Sequence, residues 1–564
     1  MTTDAAQAGK SHSNFPKAVF TEKDSNLVKA YLYFSFFAVF LGGLAGLLQL
    51  SQRAGWITLP GWLTYYQLLT AHGVLLALVF TTFFIVGFLF SGMIKTLDGE
   101  LTATERKLGW IGFYLMAIGT ILAAMLILSN DGTVLYTFYS PMAASPWYYV
   151  GLALLIVGSW LASIGMICAY IRWRKKHKGE SSPLFAYMTI ATIILWLHAS
   201  AMVAIEVVGL LIPWSFGWIE RVDTTLTRTM FWYFGHALVY FWLLPAYIYW
   251  YVNIPQIIGG TIFSSSLPRL TFILLILFSV PVGLHHQLTD PGIDSFWKFL
   301  QVILTMLVVV PSLITAFSII ATFELAGRSR GGAGLFGWVK KLPWKDARFF
   351  TTVMGMLMFI PGGATGIINS SFQLNQIVHN TWWVTGHFHL TFATSVVLTF
   401  FAITYWLIPV LTGRTFTQHL NRLAIIQSIL WIIGMFLMGI VMHFAGLLGS
   451  PRRTSFSDYG GHELGLKWMS YNQVIAVGGV ILFIAICLVL YIWIKLIFFS
   501  PKSEESIEYP IGVINEKAAE PPKILEKWSV WIAVSIILSI IAYAVPFYQI
   551  LINDAPGSLP IRSW

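Results

Sequence analysis

Long apolar runs that recur along the whole chain constrain its fold more than any other feature. Each run has about 20 or more residues, which is enough to cross a ~30 Å hydrocarbon core as an α-helix. Lipid offers the backbone no hydrogen-bond partners, so a spanning run of this length has to form a helix. The sequence therefore predicts an all-α polytopic membrane protein with thirteen transmembrane helices. The predicted spans are 26–52, 62–95, 106–129, 146–174, 184–213, 225–253, 267–290, 297–325, 346–369, 380–410, 421–448, 469–498 and 526–551.

Composition supports this class and excludes others. Hydrophobic residues make up 57% of the 564 residues and charged residues 10%, whereas about a quarter of a soluble domain is charged. The net charge is +10, but the basic residues lie in short loops beside spans, where they orient helices and bind lipid. We therefore expect no nucleic-acid partner. The two cysteines, Cys168 and Cys487, lie singly in apolar runs and form no paired metal-binding spacing.

The loops predict an orientation. Lysine and arginine collect in alternate loops such as 172–178 and 328–345, whereas 130–145 and 370–380 contain none. Cytoplasmic loops carry the excess of these residues. The N-terminus is therefore expected inside and the C-terminus outside.

The chain outside the spans is short. Residues 1–25 are polar and lack the apolar segment of a signal peptide, so they are predicted to form a cytoplasmic tail. Residues 26–552 form the predicted helix bundle, and 553–564 form a short outer tail. No soluble insertion interrupts the spans.

Histidines inside the spans are the strongest functional signal. The chain has 13 histidines, and eight of them fall within predicted spans. Ionisable side chains in a membrane are costly and usually functional, and histidine is the commonest metal ligand. The eight are His72, His198, His236, His285, His286, His387, His389 and His443.

Six of the eight share a depth. At 1.5 Å per residue, all except His198 and His443 lie within about 6–17 Å of the outer boundary. Four different helices thus present histidines in one layer, which predicts a metal site. The other two, His198 and His443, have no such companions and are interpreted as hydrogen-bonded core or interface residues.

The spacing of these histidines restricts how they bind. His387 and His389 are two residues apart and point ~200° apart around a helix, so they can serve cofactors on opposite sides. His285 and His286 are adjacent and point ~100° apart, which suits two ligands of one ion only where the helix is distorted.

Four segments carry a resemblance to a known family. They are AHG at 71–73, WYFGHALVY at 232–240, VGLHHQ at 282–287 and HNTWWVTGHFH at 379–389. In this order they resemble subunit I of the heme-copper oxidase superfamily, specifically its B-type branch related to ba3 cytochrome c oxidases. The resemblance implies a terminal respiratory oxidase that reduces dioxygen to water and pumps protons.

The resemblance also implies the cofactors and their ligands. We expect a low-spin heme of b type, a high-spin heme of a or o type, and one copper ion. Tyr240 resembles the tyrosine that is covalently joined to the copper-ligand histidine four residues before it. The implied ligands are His72 and His389 for the low-spin heme iron, His387 for the high-spin heme iron, and His236, His285 and His286 for copper.

Further roles follow from the same resemblance. Arg452 and Arg453 break the charge rule in an outer loop and resemble a pair that holds heme propionates, with His379 nearby. Asn375 stands where some relatives carry an acid, which weakens the case for a proton-loading role there. Five hydroxyl residues match the single K-type proton path of B-type enzymes: Tyr240, Tyr247, Tyr251, Ser312 and Thr315.

An absent residue supports the same branch. A-type enzymes carry GHPEVY at the copper histidine, whereas this chain has GHALVY, with Leu238 in place of the glutamate that ends a second proton path. The nearest alternative is a nitric oxide reductase, which needs glutamates at an iron site. Glu206 in a span leaves that possibility open. A second alternative, from a different class, is an ion-coupled transporter that uses histidines as proton relays.

The resemblance implies partners and a location. Two isolated cysteines cannot form a dinuclear copper centre, so such a centre is expected on a partner subunit II that receives electrons from cytochrome c. A quinol donor is the alternative. We expect the chain in the cytoplasmic membrane of a bacterium or archaeon.

Overall fold

The computed structural model describes residues 20–455, 459–553 and 555–562. Thirteen helices in these ranges are long and apolar enough to span a membrane, which confirms the predicted number. In the described ranges the only β-structure consists of isolated bridges. The helices are α1 (Glu22–Arg53), α2 (Tyr65–Thr96), α3 (Ala103–Leu128), α4 (Pro146–Lys176), α5 (Leu184–Ser215), α6 (Thr224–Ile257), α7 (Ser266–Gln287), α8 (Ser295–Ser329), α9 (Ala347–Ser370), α10 (Trp382–Thr412), α11 (Gln418–Leu447), α12 (Glu463–Phe499) and α13 (Trp528–Ile552).

The helix ends differ from the predicted ones by a few residues. α1 begins at Glu22, capped by the Thr21 side chain, so it takes in the last residues of the predicted tail 1–25. Residues 1–19 of that tail lie outside the described residues. Residues of the predicted outer tail pack against the bundle, where Ser558 pairs with Val222 and Ile561 with Met142.

Three helices form the centre of the bundle. In the most apolar stretch of α2, α6 and α10, 83%, 94% and 94% of the residues are buried, compared with 28% in α8, α9 and α13. Residues that are apolar all round a helix are typical of such a buried position. The three central helices also carry His72, His236, His387 and His389. The histidines therefore face protein and not lipid.

The spanning helices are not regular α-helices throughout. Six π-helical segments occur among the described residues, and two of them begin within two residues of a histidine in the predicted layer. Val74–Phe80 follows His72, and Thr391–Val396 follows His389. π-Segments are rare and frequently mark functional sites. Apolar periodicity does not reveal them, because one extra residue per turn leaves the composition unchanged. The other four are Val207–Leu211, Tyr249–Asn253, Phe436–Ile440 and Lys495–Phe499.

α3 and α4 pack against each other through paired glycines. A Cβ on Gly112 would lie 2.6 Å from the Gly158 oxygen, and a Cβ on Gly158 would lie 2.6 Å from the Gly112 oxygen. Gly119 and Gly151 form a second pair of the same kind further along the two helices. Small residues let helix backbones approach closely where no hydrophobic effect drives association.

Replacing Gly158 with alanine should therefore destabilise the bundle. The added methyl group meets a backbone oxygen, so the two helices must separate, at a cost of about 1–3 kcal/mol that exceeds the ~1 kcal/mol gain in helix propensity. The measurement is the thermal unfolding midpoint in detergent. Gly209→Ala is the control, because a Cβ there meets nothing within 4 Å. An unchanged midpoint for Gly158→Ala would contradict the packing argument.

Candidate metal centre

Three histidines from α6 and α7 converge on one point. The ring nitrogens of His236, His285 and His286 that could bind an ion all lie within 4.8 Å of one another. His286 Nε2 is 3.4 Å from His236 Nδ1. Regular α-helix in α7 ends at Ser279, and the adjacent pair lies in a 3-10 turn, Leu284–Gln287. This is the distortion that two adjacent ligands were predicted to need.

The hydrogen bonds of His285 fix its tautomer. The Thr305 hydroxyl donates its single proton to the Gln301 carbonyl at 2.6 Å. Thr305 Oγ1 must then accept the hydrogen bond from His285 Nδ1, 3.0 Å away. The proton therefore sits on Nδ1, and Nε2 keeps its lone pair for a metal ion. A ligating histidine commonly donates its other N–H in this way.

Two aromatic side chains enclose the cluster. The Trp232 ring stacks on His286 with centroids 3.8 Å apart and planes 8° apart. The Tyr240 ring lies 5.1 Å from the His236 ring. His236 Nε2 is buried and has no hydrogen-bond partner. The second ring nitrogen of His236 therefore makes no hydrogen bond to the described residues, and Tyr240 is among its neighbours.

His72 on α2 and His389 on α10 form a second pair. Their ring centroids are 6.4 Å apart and the ring planes differ by 9°. His72 Nδ1 lies 2.9 Å from the Gly42 carbonyl, and His389 Nδ1 lies 2.8 Å from the Thr385 carbonyl. A carbonyl only accepts, so both Nδ1 atoms carry the proton and both Nε2 atoms keep a lone pair.

His387 lies on the other side of α10 and packs into a notch in α9. Its Nδ1 donates to the Gly362 carbonyl at 2.9 Å. A Cβ on Gly366 would lie 2.7 Å from His387 Cε1, so only glycine leaves room for the ring. His387 is close enough to the three clustered histidines for electrostatic interaction with each. The predicted division of His387 and His389 between two sides of one helix is confirmed.

Two partly buried arginines line the cavity that His72 and His389 share. Arg452 donates to Asn380 Oδ1 at 2.9 Å, but its Nε atom is buried without a partner, as is Nη2 of Arg453. Neither arginine forms an ion pair with an acidic side chain in the described part of the chain. Burial, and next the charge of Arg453, lower the pKa of Arg452 to about 10. Two cations held together without a counter-charge indicate a site for an anionic group.

His379 lies near this arginine pair and is bonded to Asn375. Its Nδ1 is 3.1 Å from Asn375 Oδ1, while Asn375 Nδ2 donates to the Asn369 carbonyl at 2.6 Å. The amide nitrogen is thus directed to a carbonyl and its oxygen to the imidazole. Burial, and next the charge of Arg452, lower the pKa of His379 to about 4. His379 is therefore neutral at physiological pH in this arrangement.

The five hydroxyl residues predicted for a proton path lie in two adjacent helices. Tyr251 donates to Thr315 Oγ1 at 3.0 Å. Tyr247 lies beside Ser312 and Thr315. The π-segment Tyr249–Asn253 changes the angular position of Tyr251 from that of a regular helix. Tyr251 nevertheless faces α8, so four of the five side chains meet at the interface between α6 and α8, while Tyr240 lies beside His236.

The two remaining intramembrane histidines lie outside the candidate ligand group. His198 Nε2 is 2.9 Å from the Tyr233 hydroxyl and Nδ1 is 3.1 Å from Ser535 Oγ. His443 Nδ1 donates to the Gly439 carbonyl at 2.6 Å, although its Nε2 has no partner. His443 is buried and His198 is partly buried, which agrees with their prediction as hydrogen-bonded core or interface residues. Glu206 is also buried and does not belong to the histidine cluster.

Several residues at the site escaped the sequence analysis. Thr305 and Gln301 hold the His285 turn but carry no motif. Arg53 at the C-terminal end of α1 is buried, has two nitrogens without partners among the described residues, and lies 4.0 Å above the Trp382 ring. The signal for Arg53 was present, because a basic residue at the predicted outer end of a span breaks the charge rule as Arg452 does.

The fold and the site together define a polytopic helical membrane protein with two groups of histidines, candidate cofactor sites, on either side of one central helix. The family model "Cytochrome C and Quinol oxidase polypeptide I" matches residues 26–481. The chain therefore belongs to the subunit I family of the heme-copper oxidases, whose members carry hemes and copper. This membership confirms the resemblance of the histidine motifs and contradicts the interpretation as an ion-coupled transporter.

Individual relatives agree along almost the whole length. Cytochrome c oxidase subunit 1 of Thermus thermophilus is 38% identical over 551 residues, covering 94% of this chain and 96% of the relative. The protein of the same name from Thermostichus vulcanus is 25% identical and covers 83% and 82%. The cryo-EM structure of a heme-copper terminal oxidase dimer superposes with a TM-score of 0.90 at 34% identity, covering 96% of this chain and 95% of that one.

The notch that receives His387 can be tested with a matched pair of glycines on α9. Gly366→Val should displace the imidazole and lower the heme bound per protein by about half, since one of two expected hemes loses its ligand. Gly363→Val should keep full heme content, because a Cβ at Gly363 meets nothing within 4 Å. Heme content is measured by pyridine hemochrome per mole of protein. Full heme content in Gly366→Val would refute the importance of the notch.

Proposed function

We propose that this chain is the catalytic subunit of a terminal oxidase that reduces dioxygen to water with electrons from cytochrome c. The observation that carries the proposal is that one helix contributes a histidine to each of two sites. α10 directs His389 toward His72 and His387 toward the cluster of His236, His285 and His286. Such an arrangement can bring an electron-transfer cofactor next to an oxygen-binding one.

The His72–His389 pair is assigned to the low-spin heme iron. Two imidazoles bound to one iron through Nε2, at about 2.0–2.1 Å each, have ring centres roughly 6.2–6.6 Å apart, because each nitrogen lies about 1.1–1.2 Å from its ring centre. The observed separation is 6.4 Å. His387 keeps a lone pair on Nε2 and, unlike His72 and His389, stacks on no other histidine ring among the described residues, so it is assigned to the high-spin heme iron.

The three-histidine cluster is assigned to copper. Two imidazole nitrogens on one ion lie roughly 3.3–3.6 Å apart for bonds of about 2.0–2.1 Å and angles of about 110–120°. The distance of 3.4 Å between His286 Nε2 and His236 Nδ1 agrees with this. Neutral imidazole nitrogens suit copper. No carboxylate joins the candidate ligand group among the described residues, which favours copper over the iron site of a nitric oxide reductase.

Arg452 and Arg453 are assigned to the heme propionates. Their unpaired nitrogens line the cavity of the His72–His389 pair, so carboxylates in that cavity would satisfy them. His379 is placed beside the same groups by its proximity to Arg452. With Asn375 hydrogen-bonded to His379 and unable to ionise, we assign no proton-loading role to position 375.

When bound, the hemes and copper supply the redox chemistry and the open coordination positions that oxygen reduction needs. The role of the protein chain itself is to deliver protons and one further electron. Tyr240 lies beside His236 and can donate both a proton and an electron from its hydroxyl group. The free Nε2 of His236 is available for the covalent bond to Tyr240 that the resemblance implies.

Protons are proposed to reach Tyr240 from the inner side along α6 and α8. Tyr251 and Thr315 are directly bonded, and Tyr247 stands between them and Tyr240 beside Ser312. Hydroxyl groups both accept and donate, so each can pass a proton to the next. With Leu238 in place of a glutamate, this K-type path is proposed as the single route for both consumed and pumped protons, as in the B-type branch.

The remaining assignments follow from the same proposal. The low-spin heme is of b type and the high-spin heme of a or o type. A subunit II with a dinuclear copper centre passes electrons from cytochrome c, with direct oxidation of quinol as the alternative. The chain lies in a bacterial or archaeal cytoplasmic membrane with its N-terminus inside, so that 1–25 is cytoplasmic and 553–564 is outside, flanking the bundle 26–552.

The spectrum and metal content of the purified complex test this proposal directly. We expect two hemes per chain, of which one binds carbon monoxide, and one copper in addition to any copper on subunit II. A complex without heme absorbance would refute the proposal. Extra iron in place of copper would indicate a nitric oxide reductase, and turnover with quinol but not with cytochrome c would indicate a quinol oxidase.

Replacement of Tyr240 by phenylalanine tests the reaction itself. Tyr240→Phe keeps the ring that packs on His236 but removes the hydroxyl group, so both hemes should remain while oxygen consumption falls by about 100-fold or more. Tyr405→Phe is the control, because Tyr405 is equally buried but bonds to Gln427 on α11. Near-normal oxygen consumption by Tyr240→Phe would show that the hydroxyl is dispensable.

A further inference from the structure

The turn that carries His285 and His286 satisfies only part of its own backbone: His286 N donates to the Gly283 carbonyl at 3.0 Å, but Gly283 N and Leu284 N need partners from elsewhere. After Ser279 the chain leaves the α-helix, so N–H groups of Gly283 and Leu284 have no carbonyl partner within α7. In the middle of a membrane protein such groups are costly unless another element satisfies them. The satisfying group lies on the neighbouring helix, α8.

Gln301 of α8 supplies the missing acceptor. Its Oε1 accepts hydrogen bonds from Gly283 N at 2.9 Å and Leu284 N at 2.8 Å. Its Nε2 donates to the Ala542 carbonyl on α13 at 3.1 Å. The side chain is fully buried. Two N–H groups on one side and a carbonyl on the other fix which end of the amide is oxygen.

The same residue also acts on the imidazole of His285. The backbone carbonyl of Gln301 accepts the Thr305 hydroxyl proton, which leaves Thr305 Oγ1 to accept from His285 Nδ1. Gln301 thus anchors the turn through its side chain and sets the ring tautomer through its carbonyl. Both effects act on residues already assigned to copper.

α13 also packs against the turn. Gly283 is extended, with φ of −178°. A Cβ on Gly283 would collide with the Tyr543 hydroxyl and would lie 2.5 Å from the Trp232 carbonyl. The turn is therefore held between α6 and α13, and Gln301 is the side chain that bonds it to the last helix.

We propose that Gln301 is a positioning residue for the copper ligands His285 and His286, and that α13 supports the copper site through it. The inference rests on the proposed copper assignment. Gln301 does not touch the metal. It holds the backbone that directs two of the three ligands, as the groups that hydrogen-bond to ligands do at other metal sites.

Gln301→Leu should weaken copper binding without removing the hemes. Leucine has similar volume but leaves Gly283 N, Leu284 N and the Ala542 carbonyl unpaired. Loss of such support typically lowers metal affinity by about 10- to 100-fold. We expect a matching loss of copper during dialysis against a chelator, with heme content unchanged. The infrared C–O stretch of carbon monoxide photolysed onto copper should also shift or broaden.

Gln301→Glu is the conservative rescue. Its carboxyl keeps an oxygen in reach of both N–H groups, so copper retention should stay within about threefold of the wild type, well inside the loss expected for leucine. Gln427→Leu is the matched control, since Gln427 is also fully buried but bonds to Tyr405 on α10 and not to the turn. It should retain copper like the wild type.

The outcomes separate the two proposals. Wild-type copper retention in Gln301→Leu, or equal losses in the leucine and glutamate variants or in Gln427→Leu, would overturn the role of Gln301. If Gln301→Leu binds no heme, Gln301→Asn takes its place, because the shorter arm cannot reach both α7 and α13, and normal copper retention there overturns the role. A wild-type complex without copper at this site would refute the proposed function instead.

Discussion

Every histidine assigned to a heme in this protein donates its Nδ1 proton in a hydrogen bond to a backbone carbonyl. His72 uses Gly42, His387 uses Gly362 and His389 uses Thr385. Inside a membrane no water is available to satisfy a polar group, so an imidazole without such a partner would be costly. The partner also decides the tautomer, because a carbonyl can only accept. Each ring is left with a lone pair on Nε2, which is the form that binds a metal ion.

This requirement explains much of the packing around the site. A ring can reach a backbone carbonyl of a neighbouring helix only where that helix presents no side chain. Gly46 and Gly366 provide the space, since a Cβ on either would lie within 2.7 Å of the imidazole of His72 or His387. The most buried helices, α2, α6 and α10, carry four of the six histidines of the layer, and α7 carries the other two. Less buried helices such as α8 and α9 pack against these central helices.

Of the three histidines assigned to copper, His285 follows the same rule with a different partner, whereas Nε2 of His236 has no hydrogen-bond partner among the described residues. His285 donates to a hydroxyl group in place of a carbonyl, and the turn that carries it depends on a glutamine side chain for its own backbone bonds. Arg452 and Arg453 are the opposite case, because one buried nitrogen of each has no partner among the described residues. Hydrogen-bond partners are thus present at the imidazoles assigned to the hemes and, in the described part of the chain, missing at the two arginines, where an anionic group is proposed to bind.

The sequence by itself determined the thirteen helices, because a run of about 20 apolar residues has one stable form in lipid. It also determined that His387 and His389 face opposite ways, because the pitch of a helix fixes their angle. Only the tertiary structure decided the π-segments after His72 and His389, the glycine notches, and the hydrogen-bond partners of Gln301 and Thr305. These depend on which backbone groups from distant parts of the chain come within about 3 Å of one another, and no local pattern of apolar and polar residues records that distance.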